Sequence, residues 1–171
     1  MQGIELWDKL KTPPHDALKE ITGGRNKGMS DISPQWRYKA MTEIFGPCGT
    51  GWNLSIEKLW TSPGTEGQVF AFAQVHVIFK EGENWSDPIP GVGGAMLIDK
   101  EKKGLHCDDD AFKKAVTDAT GTALKMIGVA ADVYAGLCDS KNKDTLDDQQ
   151  PPQYQQQYQQ QQPNNNDNFG L

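Results

Sequence analysis

The chain is poor in the residues that carry out bond chemistry. It has three histidines and three cysteines in 171 residues. Cys48, Cys107 and Cys138 are odd in number and have no paired spacing, which argues against a disulfide framework. Each is expected to act as a small, partly buried hydrophobe. No CxxC or HxxxH occurs, and His106 and Cys107 are adjacent, a poor ligand geometry. Zinc is therefore not expected. Three scattered histidines support no Ser/His or Cys/His nucleophile. There is no GxxxxGK[ST], and no GxGxxG opens a helix. No apolar run approaches the length of a membrane span and no signal-peptide pattern is present. A reduced, cytoplasmic setting with no membrane partner is the expectation.

Charge is also unevenly supplied. The net charge is −6. Yet residues 1–40 hold seven Lys/Arg against five Asp/Glu, while residues 139–171 hold two Lys against five Asp. Overall acidity does not exclude a nucleic-acid partner, because a local basic stripe is what binds phosphate.

The length suits one domain with an appendage. Residues 4–11, IELWDKLK, read as a short amphipathic helix that Pro13-Pro14 stops. Residues 22–31 are a loop by composition and carry Arg25 and Lys27. Ser33 as N-cap and Pro34 at the first helical position open a helix. Its buried stripe is Trp36, Ala40, Met41, Ile44 and Phe45, with Arg37 near the edge, and Gly46-Pro47 ends it.

Residues 52–60 alternate. Trp52, Leu54, Ile56, Lys58 and Trp60 are expected on one face, Asn53, Ser55, Glu57 and Leu59 on the other. Residues 69–79 are apolar on both faces except Gln74 and His76, the pattern of a central strand. A third strand is expected from Trp85 through the Ile89-Pro90 region or just after it. The glycines of Gly91-Val92-Gly93-Gly94 read as permitting a bulge or a close backbone approach rather than as a phosphate loop.

Asp108, Asp109 or Asp110 can cap a long helix over 110–127. Its buried stripe is expected to be Phe112, Ala115, Val116, Ala119, Ala123, Met126 and Ile127. Its polar stripe is Lys114, Thr117, Asp118, Gly121, Thr122 and Lys125, with Lys114 and Asp118 at salt-bridge spacing. Gly121 in mid-helix costs roughly 1 kcal/mol relative to Ala. Another backbone or a phosphodiester coming close would offset that. A narrow stripe with lysines at its ends and small residues between suits a phosphate-tracking groove. Gly128 is a good C′ residue, and VAADVYAGL is a second helical piece.

The carboxylates Glu81, Glu83, Asp87 and Asp108 to Asp110 sit in turns and at a helix cap, which accounts for them without a metal. From residue 139 the pattern dies into a Gln- and Asn-rich tract read as a disordered tail. It ends in an apolar tip with Phe169 and Leu171, a candidate docking peptide for a host single-strand-binding or replication protein.

In these segments the chain resembles the single-strand annealing protein superfamily, specifically its Rad-fifty-two-like branch with the phage Sak-type recombinases. RYKAMTEIFGPCGTGWNLSIE is similar to that family's helix ending in Glu-x-Phe-Gly before a Gly-Trp strand start. FAQVHVIFKEG resembles its central strand, PIPGVGG its Gly-x-Gly segment, and KKAVTDATGTALKMIG its last helix. The resemblance spans residues 34–137 and implies a β-β-β-α core, protomers in rings or filaments, and a groove that holds single-stranded DNA with its bases exposed. Strands would then be paired without ATP. Where the family carries a Lys-Arg pair, this chain has Gly121-Thr122. Lys125 matches the next basic position, and Arg37 lies close to the one on the first helix.

The resulting expectation is an α+β annealing domain over residues 1–138, an antiparallel meander of three to five strands packed by helices. It would be no enzyme and need no cofactor, although divalent cations can screen strand repulsion. The DNA contacts expected are Arg25, Lys27, Arg37, Lys39, Lys113, Lys114, Thr117, Gly121, Thr122 and Lys125. The alternative is a protective single-stranded DNA-binding protein. Exposed sheet edges and a short groove favour a homo-oligomer, a ring or helical filament.

Overall fold

The computed structural model describes residues 3–24, 26–102 and 104–139. Arg25, most of the expected tail, and Phe169 and Leu171 lie outside the described residues. The first helix, α1 (Gly3–Leu10), leads through a 3-10 turn to a small hairpin, β1 (Leu18–Glu20) and β2 (Ser30–Ile32). Of the segment read as a loop, Ser30 and Asp31 belong to β2, paired with Glu20 and Lys19. Next comes α2 (Pro34–Phe45), then a sheet of β3 (Trp52–Pro63), β4 (Val69–Glu81), β5 (Asn84–Trp85), β6 (Ile89–Glu101) and β7 (Gly104–Cys107). Two helices follow, α3 (Ala111–Lys125) and the short α4 (Ala131–Tyr134). The class is α+β.

The sheet is antiparallel, in the order β3-β4-β6-β7, with β5 paired to the end of β4. The third long strand is thus later than Trp85. Asn84-Trp85 folds back on β4, and the whole glycine segment lies inside β6.

Helix α3 lies across β4 and β6. Ala73, Val75 and Val77 of β4 are completely buried, in one cluster with Ala115, Ala119 and Ala123 of the helix. Such close packing needs small residues on both sides. A Cβ at Gly91 would stand 2.1 Å from the Ala119 carbonyl oxygen, and one at Gly93 would stand 2.1 Å from the Ala119 nitrogen. These glycines serve the close backbone approach that the sequence implied.

Two expected faces are corrected. The pairing of β3 with β4 shifts between Ile56 and Lys58, a β-bulge at Glu57. A bulge adds one residue, so every side chain beyond it changes face. Trp52, Leu54 and Ile56 pair with Phe79, Val77 and Val75, on the helix side. Lys58 and Trp60 pair with Gln74 and Phe72, on the opposite side. In α3 the buried residues are Ala111, Ala115, Ala119, Thr120, Gly121, Ala123 and Leu124, while Met126 is exposed. The stripe is broader than expected and turned toward Gly121, because α2 also packs on this helix.

The remaining joints follow local chemistry. Ser33 stands at the N-cap of α2, but its hydroxyl caps nothing, and the helix start rests on Pro34. Asp110 occupies the N-cap of α3 without a side-chain capping bond. The Asp108 carboxylate instead accepts the Asp110 N–H at 2.9 Å. Gly128 takes a left-handed turn with φ +97°, and the Trp7 ring of α1 packs on it. Cys48 and Cys107 are exposed, contrary to expectation, and Cys138 is half-buried.

Asp139 is buried, and its Oδ1 accepts the Ser30 N–H at 2.8 Å. Ser30 Oγ donates to the Cys138 carbonyl at 2.7 Å. Hairpin β1–β2 is thereby tied to the end of the described chain. Among the described residues no helix is long and apolar enough to cross a membrane.

Candidate nucleic-acid interface

The neighbour that Gly121 implied is a side chain of the protein itself. A Cβ at position 121 would stand 2.9 Å from one terminal guanidinium nitrogen of Arg37 and 3.2 Å from its Cζ. Helix α2 thus lays its arginine across the one position of α3 that has no side chain. Gly121 is buried there, not exposed on a polar stripe. Its cost to the helix is offset by this contact.

The arginine is fixed from a second side. One of its terminal nitrogens donates to the Tyr134 hydroxyl at 3.3 Å. Arg37 Nε is buried and has no hydrogen-bond partner among the described residues. No described carboxylate forms an ion pair with Arg37. The ammonium of Lys125 lies 5.4 Å from the centroid of the Tyr134 ring, within reach of a cation–π contact. Arg37, Gly121, Lys125 and Tyr134 therefore form one cationic, partly aromatic cluster.

Toward the start of α3 this cluster opens into a groove of about 360 Å³. Arg37 lines it with Lys113, Lys114 and Thr117, and with the acids Asp31, Asp110 and Asp118. The two lysines are engaged. Lys113 pairs with Asp110 and Lys114 with Asp108. The carboxylates hold both ammonium groups above their ordinary range. In return the Lys114 hydrogen bond, followed by the Asp110 N–H, holds the Asp108 carboxyl below the usual carboxylate range. Lys114 thus pairs with Asp108, not with Asp118 as its spacing suggested. Asp118 accepts the Gly94 N–H at 3.0 Å and pins α3 to the sheet.

Arg37, Lys113, Lys114 and Thr117 come together at the groove, and Gly121 and Lys125 lie beside Arg37. Thr122 is half-buried and lines no part of the groove. Lys39 projects from α2 and pairs with Glu43 at 3.5 Å. Lys27 is exposed in the β1–β2 loop, also outside the groove. Tyr134 and Asp31 are the components that the sequence did not single out; Asp110 and Asp118 read there as a helix cap and a salt-bridge partner. Tyr134 belongs to a four-residue helix with no stripe to place it. Asp31 lies in β2, just ahead of α2, where nothing in the pattern aims it at Arg37.

An anion entering this groove would meet Arg37 first, since its guanidinium has no acid to leave. Lys113 and Lys114 would have to exchange a carboxylate for a phosphate. The pairs are solvent-exposed, and such pairs are weak. Among the described residues no group of three or more His, Cys, Asp or Glu is placed to hold a metal ion. No protein-family model matches this chain, and no curated protein matches it at a significant level.

Proposed function

We propose that this protein binds single-stranded DNA and pairs complementary strands without ATP, in homologous recombination of the phage type. Phosphates lie along the groove at α3, the bases stay exposed, and annealing draws its free energy from base pairing. The observation that carries the reading is the Arg37 guanidinium seated on Gly121, beside Tyr134 and Lys125, at the end of a groove lined by Lys113, Lys114 and Thr117. Gly121-Thr122 departs from the Lys-Arg pair of the family that the sequence resembles. Arg37 reaches over Gly121 from α2 and puts a cation near the place left vacant. Strands β3, β4 and β6 followed by α3 also follow the order that the resemblance implies, with the short β5 and β7 added between.

Assembly belongs to the same reading. Strand β3 is an edge of twelve residues, and Ile56 and Leu59 on it are about half exposed. Long open edges invite pairing with another chain. Head-to-tail protomers would join short grooves into one track.

The test is annealing of complementary oligonucleotides by wild type, Arg37→Ala and Lys125→Ala. Both variants should bind single strands more weakly, whatever the sequence, and should show a shallower dependence on salt. Light scattering with and without single strands should find an oligomer. Strand protection without faster annealing would select the protective alternative. Equal affinity for duplex and single strands would overturn both.

A further inference from the structure

Helix α3 covers one face of the sheet. The opposite face carries an ordered row of rings instead of a core. Trp60 and Phe72 stack with centroids 5.4 Å apart and planes 20° apart. Phe70 and Phe72 are 6.2 Å apart at 30°. None of the three belongs to the buried core, which the other face of β4 supplies. Phe72 lies over Gly94 of β6, where a Cβ would stand 2.7 Å from its ring. A glycine there lets the ring lie down on the sheet.

Cations accompany the rings. The Lys58 ammonium lies 5.4 Å from the Trp60 centroid, and that of Lys80 lies 5.3 Å from the Trp85 centroid. Lys80 pairs with Trp85 and has the same strand parity as Phe72, so both Lys–Trp pairs share this face. Eight residues of strand separate Phe72 from Lys80, roughly 26 Å. Gln74 and His76 lie between them on the same face, half-buried, with polar side chains. Acids also stand at this face: Glu57 near His76 at 3.5 Å, Asp99 accepting from Gln68 at 3.0 Å, and Glu101 two residues beyond Asp99 toward β7.

We propose that this face is a second nucleic-acid surface, a platform on which the bases of a single strand stack. Flat rings on adjacent strands match the π-faces of successive bases, and the two lysines match the phosphates at either end. The polar and cationic residues among the rings argue against a second copy of this chain as the occupant, because interface cores are depleted in lysine. The proposal shares its partner class with the groove reading, and it uses different residues.

The probe is a thymidine oligomer of about 16 nucleotides, the upper site size for one stacking fold. With iodouracil substituted for some bases, light-induced cross-links to the wild-type protein should fall on peptides containing Trp60 and Phe72. Trp60→Ala should weaken binding about tenfold, with an unchanged salt slope, since stacking releases no counterions. Phe72→Leu, with circular dichroism on each variant, guards against a folding defect. Cross-links confined to the Arg37, Lys125 and Tyr134 peptides would overturn the platform and leave the groove reading standing. Binding to neither surface would overturn both. If Trp60→Ala changes the oligomer mass and leaves affinity intact, the face is a contact between copies and the proposal is wrong.

Discussion

The Arg37 guanidinium lies where a side chain at position 121 would stand, 2.9 Å from the Cβ that Gly121 lacks. The obstacle is the far end of a flexible side chain. Gly121→Ala should therefore be tolerated by the fold. Helix propensity favours Ala by about 1 kcal/mol, so the urea midpoint should hold or rise. Arg37 must move away, and the affinity for single strands should fall. A variant that binds as well as wild type would separate Arg37 from the proposed site.

Gly93 meets backbone rather than a movable tip. A Cβ there would stand 2.1 Å from the Ala119 nitrogen and 2.7 Å from the Ala115 carbonyl oxygen. Neither β6 nor α3 can give way without lifting the helix from the sheet. Gly93→Ala should cost about 3 kcal/mol, at or above the upper end of overpacking penalties. Gly23 has nothing within 4 Å of such a Cβ, and Gly23→Ala should stay within about 0.5 kcal/mol of wild type. Urea denaturation of the two variants checks the contrast.

Periodicity makes the elements of this fold legible, and it fails where one residue changes the phase. The alternation of 52–60 predicts a single apolar face, and the bulge at Glu57 moves Lys58 and Trp60 to the other. A bulge leaves no mark in an alternating pattern. The glycines of β6 and α3 are legible as close approaches, because glycine inside a strand or helix costs stability unless a neighbour occupies the space a side chain would fill. What approaches Gly121 is not legible. Arg37 is 84 positions earlier, and an edge position on one helix says nothing of which helix it meets. The ion pairs are misread for a related reason. Lys114 and Asp118 have the right spacing, but Asp118 is taken by the Gly94 N–H from another element.

Asp139 holds the β1–β2 hairpin through Ser30, so a truncation that removes it should destabilise the fold. A chain ending at 139 should keep the wild-type urea midpoint. Asp139→Ala in the full-length chain removes the carboxylate that accepts the Ser30 N–H, and should cost about 1–3 kcal/mol. Equal midpoints for wild type and Asp139→Ala would show that the hairpin tie contributes nothing.

Asp108 and Lys114 set the pH dependence of the α3 start. The folded Asp108 carboxyl lies below its ordinary 3.8. Its contribution to stability is therefore present above 3.8 and lost as pH falls through the lower folded value. The folded Lys114 ammonium lies above its ordinary 10.5. Its contribution is present below 10.5 and lost as pH rises through the higher folded value. Stability should thus carry a shoulder at each end, and in urea titrations across pH Asp108→Asn should flatten the acid one and shrink the alkaline one, to which Lys113, raised by Asp110, also contributes. The same change releases Lys114 to the groove. Single-strand affinity should rise at neutral pH, and the salt slope should steepen by about 0.7, the value for one more phosphate contact on a single strand. If Asp108→Asn flattens the acid shoulder and leaves affinity and slope unchanged, Lys114 belongs to the helix cap alone and the phosphate track does not include it.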